Sequence, residues 1–155
     1  MSVVTKPITL NHPHGKGAVH FVWTGDRFEH RIELGENHAA CKDEAADQTW
    51  PDSPPIQQLS IESIDGRDVA LAVGCAGTSH WSLSVEPTAE GFCFDWACRA
   101  KQTPAQLGTK YESPAGMRFE CIDGATITAG MDETAIRPSE SLDAAGTYRW
   151  CYQVS

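Results

Sequence analysis

The residue types able to carry chemistry gather in one stretch of the chain. His80, Ser82 and Ser84 alternate along His80-Trp81-Ser82-Leu83-Ser84-Val85-Glu86, and Cys93 and Asp95 along Phe92-Cys93-Phe94-Asp95-Trp96-Ala97-Cys98. Alternation of this kind reads as two strands, whose side chains point to opposite faces in turn. Folding the pair back through residues 87–90, with Val85 opposite Phe92, sets Leu83 against Phe94 and Trp81 against Trp96. One face is then an aromatic-rich core face. The other sets Ser82 opposite Asp95, Ser84 opposite Cys93 and His80 opposite Ala97, within about two residue steps, roughly 7 Å. A hydroxyl, an imidazole and a carboxylate in mutual reach are the parts of a nucleophile, its base and the group that orients the base. His80, Ser82 and Asp95 are therefore candidate catalytic residues of a small hydrolase or isomerase, with Ser84, Cys93 and Arg99 as candidate ligand-binding residues.

A blander reading competes with that one. Nothing marks a nucleophile elbow or a pair of oxyanion donors, and Ser beside Asp on a strand face is ordinarily a structural hydrogen bond. Asp95 also sits in a strand apolar on both faces, where a buried carboxylate needs a partner such as Arg99, Ser82 or His80. The primary expectation is thus a non-catalytic binding or interaction module, taking a small molecule or a protein. A metal-binding protein is the third reading. His12 and His14 flank Pro13, and His38 and Cys41 lie three apart, but nothing in the sequence draws them into one zinc-like ligand set. No metal and no cofactor is assigned on these grounds. His30 falls on a core face and reads as a hydrogen-bonded core imidazole. The chain has no Gly-rich phosphate loop, no Cys-x-x-Cys and no His-Glu-x-x-His.

The elements that must position these residues are strands joined by turns. Val19, Phe21 and Trp23 alternate with polar or smaller residues, and so do Phe28, His30, Ile32 and Leu34. A Gly25-Asp26 loop pairs Trp23 with Phe28, Phe21 with His30 and Val19 with Ile32, leaving the large apolar groups on one face. At Asp65-Gly66 a two-residue turn would oppose Val69 to Glu62 and Leu71 to Ser60, mixing the faces. A three-residue loop, Ile64-Asp65-Gly66, instead pairs Ile61 with Val69 and Leu59 with Leu71, and it is the expected turn. The same tripeptide at Ile122-Asp123-Gly124 predicts a hairpin pairing Phe119 with Ile127, Cys121 with Ala125 and Met117 with Ala129. Residues 147–154 read as a last strand with Tyr148, Trp150, Tyr152 and Val154 on one face, and residues 5–10 as a short edge strand. Residues 35–55 are acidic and alanine-rich, and Asn37 is placed to cap a short helix over 39–47. Residues 99–115 and 130–146 read as loops. The sum is one all-β domain over 1–155, an antiparallel sandwich or open barrel of about ten short strands with room for one short helix.

Composition narrows the partners. Twelve basic against 21 acidic residues leave a formal net charge of -9, which repels phosphate backbones and anionic lipid. The expectation is no nucleic acid and no membrane. The first residues lack a basic stretch leading into an apolar run, so no signal peptide is expected and the localisation reads as cytoplasmic, with the six cysteines as buried, reduced thiols. Five tryptophans could form an aromatic sugar platform, but Trp23, Trp81 and Trp96 fall on expected core faces.

Two stretches carry resemblances. Residues 79–86, Ser79-His80-Trp81-Ser82-Leu83-Ser84-Val85-Glu86, with Phe94-Asp95-Trp96-Ala97-Cys98-Arg99 downstream, resemble a planctomycete-type bacterial family for which no activity is known. That resemblance covers the middle third of the chain and implies none. Asp143-Ala144-Ala145-Gly146-Thr147-Tyr148 is similar to the tyrosine corner of immunoglobulin-like folds. It implies a sandwich in which Tyr148 ties its loop to the backbone.

Overall fold

The computed structural model describes residues 7–42, 49–112 and 114–155, and among them the chain is strand and turn with no helix. The strands are β1 (Ile8–Asn11), β2 (Gly17–Trp23), β3 (Phe28–Leu34), β4 (Asn37–Cys41), β5 (Gln58–Ile64), β6 (Arg67–Ala76) and β7 (Ser79–Pro87). They continue with β8 (Phe92–Ala100), β9 (Thr109–Glu112), β10 (Phe119–Asp123), β11 (Ala125–Ala129), β12 (Glu133–Pro138) and β13 (Gly146–Val154). Seven form an antiparallel sheet in the order β1-β2-β3-β4-β9-β12-β11, and six form a second in the order β10-β13-β8-β7-β6-β5. Each sheet keeps two open edges, and the apolar faces pack on one another as a sandwich.

Alternation in the sequence sets most of this. The β2–β3 hairpin has the expected pairs, Trp23 to Phe28, Phe21 to His30 and Val19 to Ile32. In β13, Tyr148, Trp150, Tyr152 and Val154 are all buried, and the Tyr148 hydroxyl donates to the Ala144 carbonyl at 2.5 Å, tying the preceding loop down. Trp81 and Trp96 are buried as expected. Trp23, beside the hairpin's turn, is instead exposed and packs edge-on against Phe28.

The core is aromatic and holds one polar relay. Phe92, Phe94, Trp96, Trp150 and Tyr152 of the six-stranded sheet meet Phe21, Ile32, Tyr111 and Ile136 of the seven-stranded one, all fully buried. His30 Nε2 and the Tyr111 hydroxyl are 2.8 Å apart, Tyr111 and Tyr152 hydroxyls 2.5 Å, and Trp96 Nε1 donates to Tyr152 at 3.0 Å. Burial lowers the His30 pKa from 6.5 to about 3, so the imidazole is neutral in the fold. Burial likewise raises both tyrosines above their ordinary range. Each member of this relay has a partner, as a low-dielectric interior requires, whereas the buried Trp81 Nε1 has none among the described residues.

Several expectations are corrected. The β5–β6 turn is the two-residue Asp65-Gly66, with φ of 51° and 80° at the two positions, and it pairs Ile64 with Arg67, Ile61 with Ala70 and Leu59 with Ala72. The primed geometry suits the strand twist, and space decides the register. Pro55 crosses so close beneath β6 that a Cβ on Gly74 would lie 1.8 Å from its carbonyl oxygen. Only Ala70, Ala72 and Gly74 fit inward, so Leu71 and Val73 face out, 39% and 47% exposed. The Ile122-Asp123-Gly124 hairpin does not form. β10 pairs with β13 and β11 with β12, so the chain crosses between sheets at Gly124, whose φ is 67°. Asn37 caps no helix: 37–41 is β4, paired to β3, because Ala39 turns into the core there, and residues 43–47 of the expected helix lie outside the described residues. The two expected loops contain β9 and β12, which join β4 to β11 across the seven-stranded sheet. Finally, the β7–β8 hairpin sets Val85 opposite Phe94 and Pro87 opposite Phe92, not Val85 opposite Phe92. Thr88 and Gly91 close the turn, and the register moves by two residues.

Candidate functional site

That two-residue shift keeps every face and changes every neighbour. On the outer face of the six-stranded sheet the registers build three cross-strand rows. The first runs Ser60, Leu71, Ser84, Asp95, Cys151. The second runs Gln58, Val73, Ser82, Ala97, Arg149, and the third Cys75, His80, Arg99, Thr147. The middle of these rows carries small side chains, Ser82, Ser84 and Ala97. The flanks carry large ones, Leu71 and Val73 on one side and the Asp95–Arg149 pair on the other. A trough results. Its first section, wide open to solvent, holds about 670 Å³ between the first two rows, and a second open section of about 580 Å³ continues to His80 and Arg99, sharing Gln58, Val73, Ser82 and Ala97. Both volumes are in the range of ligand sites.

The sequence-derived candidates land here, but not as expected. Asp95 faces Ser84 rather than Ser82, and His80 faces Arg99 rather than Ala97. His80 stands four residues from Ser84 along β7, roughly 13 Å from the Asp95 row. No hydrogen bond joins His80, Ser82 and Asp95 among the described residues, so the structure does not assemble them as nucleophile, base and orienter. The Asp95 carboxylate is held instead by Arg149, whose Nε donates to Oδ1 at 2.8 Å and whose NH2 donates to Oδ2 at 2.7 Å. Such a bidentate fork fixes both oxygens. The third guanidinium nitrogen donates to Asp123 at 3.1 Å. Hydrogen bonds and charge from Asp95 push the Arg149 pKa still higher, so this cation does not titrate. Sequence reasoning offers Arg99, Ser82 or His80 as the partner, and none of them is. Arg149 is 54 residues away and is reached only through the β8–β13 register.

Cys93 lies opposite Glu86 and, diagonally, brings its sulfur to 3.6 Å from that of Cys151. The two are unbonded thiols. Burial, with the Cys93 thiol beside it, pushes Cys151 up to about 12, and burial pushes Cys93 up, so neither is a ready nucleophile. Two of the six cysteines, Cys75 and Cys121, are exposed rather than buried, and Cys75 sits in the trough opposite His80.

The expected metal ligands do not converge. The His12 ring is taken by the Thr88 carbonyl at 2.7 Å and the His14 amide at 3.1 Å. Among the described residues no three metal-ligating side chains cluster. A constellation that sequence reasoning missed lies on the other sheet. Thr9 Oγ1 is 3.1 Å from His20 Nδ1, and His20 Nε2 is 2.9 Å from Glu33 Oε2. Hydroxyl, imidazole and carboxylate are in line there. The signal was the alternation of Ala18, His20 and Val22, legible only once β1 is known to pair Thr9 with His20.

Comparison of the chain with family models, curated proteins and solved structures returns no match. No helix among the described residues is long and apolar enough to cross a membrane.

Proposed function

We propose that the protein is a non-catalytic binding module and that its ligand lies in the trough on the outer face of the six-stranded sheet. The observation that carries the reading is the Asp95–Arg149 fork. A carboxylate whose two oxygens are both taken by a guanidinium is a poor base, and here it serves as a wall. The serines nearby face apolar or fixed neighbours rather than a base. What remains is a concave floor of small residues between an apolar and a charged wall, the surface that ligand sites use. Six free thiols, with Cys93 and Cys151 adjacent and unbonded, support a reducing and hence cytoplasmic setting.

A fragment screen read by amide chemical shifts tests this. Hits should cluster on residues 71–75, 80–84 and 95–99 and vanish in Ser82→Trp, which fills the floor from the solvent side without touching the core. Hits scattered elsewhere, or none at all, would overturn the proposal.

A further inference from the structure

The trough is electrically polarised along its length. At one end Arg99 is exposed, faces His80 and Thr147, and makes no ion pair among the described residues. At the other end Arg149 stands between two carboxylates, Asp95 on the trough wall and the exposed Asp123 beside the trough, so the three groups together carry one negative charge in excess. Asp95 and Arg99 lie four residues apart on one strand, roughly 13 Å. Four residues of extended peptide span the same length at about 3.3 Å each. Between the ends, Ser82, Ser84 and Gln58 offer hydrogen-bonding groups, while Leu71 and Val73 offer an exposed apolar wall.

We infer, resting on the reading of the trough as the binding site, that its occupant is a free peptide of three or four residues lying extended along β7. Its carboxylate sits at Arg99, its ammonium on the Asp95–Asp123 side, and small aliphatic side chains pack on Leu71 and Val73. The chemistry separates this ligand from others. A single-headed amphipath such as a fatty acid matches Arg99 and leaves the acidic end unmatched. A sugar has no aromatic platform here, since Trp81, Trp96 and Trp150 all face the core. A nucleotide brings several negative charges to a chain whose formal charge is already -9. Peptide backbone also supplies N–H and C=O groups to the serine hydroxyls, which an alkyl chain cannot.

Affinity selection with tetrapeptides built from Ala, Val, Leu and Ser tests the inference in three forms: free, N-acetylated and C-amidated. The free pool should be retained, and amidation should weaken retention about tenfold or more, the size of a charge-assisted hydrogen bond. Acetylation should weaken it by less, because Arg149 already offsets part of the acidic end. In Arg99→Gln, an exposed position that leaves the core intact, free and amidated pools should bind alike. Retention of no free tetrapeptide, or equal retention of all three pools by the unaltered protein, overturns the inference. The fragment screen separates the two failures. Fragments in the trough with no peptide retained leave the binding-site reading standing and remove only the peptide, whereas an empty trough in both experiments removes both.

Discussion

The two sides of β8 put polar groups to opposite ends. Facing inward, Phe94 and Trp96 pack in the core, and Trp96 donates into the closed chain of Tyr152, Tyr111 and His30. Facing outward, Asp95, Ala97 and Arg99 line the trough with hydroxyls, an imidazole and a thiol set around them. In the core every member of the relay is committed to another, and none reaches water. In the trough the Asp95–Arg149 pair is fixed while Arg99 stays open. The contrast separates polar groups that hold the fold from polar groups left available to a ligand.

The largest effect that tests this division is removal of an inward residue. Trp96→Ala deletes a fully buried indole and also takes the donor from Tyr152, and it should cost about 3–5 kcal/mol or more in urea unfolding. A loss under about 1 kcal/mol would mean that the relay and its packing do not hold the sheets together.

The relay also predicts a pH dependence of known sign. In the unfolded chain His30 takes up a proton below its ordinary pKa of 6.5, whereas in the fold it does so only near 3. Between those values the unfolded state binds the extra proton, so stability falls as pH falls. From pH 6.5 to 5 the loss should be about 2 kcal/mol from this residue. His30→Gln is weaker overall but should lose that increment, so its stability at pH 5 and 6.5 should differ by about 2 kcal/mol less than the parent's. An unchanged difference would show that His30 is charged, or is reached by water, in the fold.

How much of this could be read from the chain follows the same division. Residues that alternate with large apolar partners were legible: the β2–β3 hairpin, the inward face of β13 and His30 as a core imidazole follow from period-two patterning alone. The faces of the β7–β8 hairpin were legible as well, because a shift of two residues preserves them. Exact neighbours were not, since a shift of two residues costs nothing in face sorting. Leu71 reads as inward because large apolar groups usually are. What turns it out, and Val73 with it, is the passage of Pro55 beneath Gly74, a contact between distant parts of the chain. The true partner of Asp95 was hidden for the same reason.

The smallest expected effect lies on the outward side. Arg149→Gln breaks the fork to Asp95 and the bond to Asp123, yet Arg149 is half exposed and all three groups meet water on this face. Exposed ion pairs contribute about 0–1 kcal/mol, so the melting temperature should barely move. Binding is where the change should register. With the guanidinium gone, two carboxylates remain uncompensated at that end of the trough, so a ligand bearing an ammonium should bind more tightly and one bearing only a carboxylate less. Calorimetry with the free and N-acetylated peptides on this variant resolves the sign, and the gain should be confined to the free form. A loss of stability above about 2 kcal/mol would place Arg149 with the inward residues, as part of what holds the fold, and would erase the division between the two faces of β8.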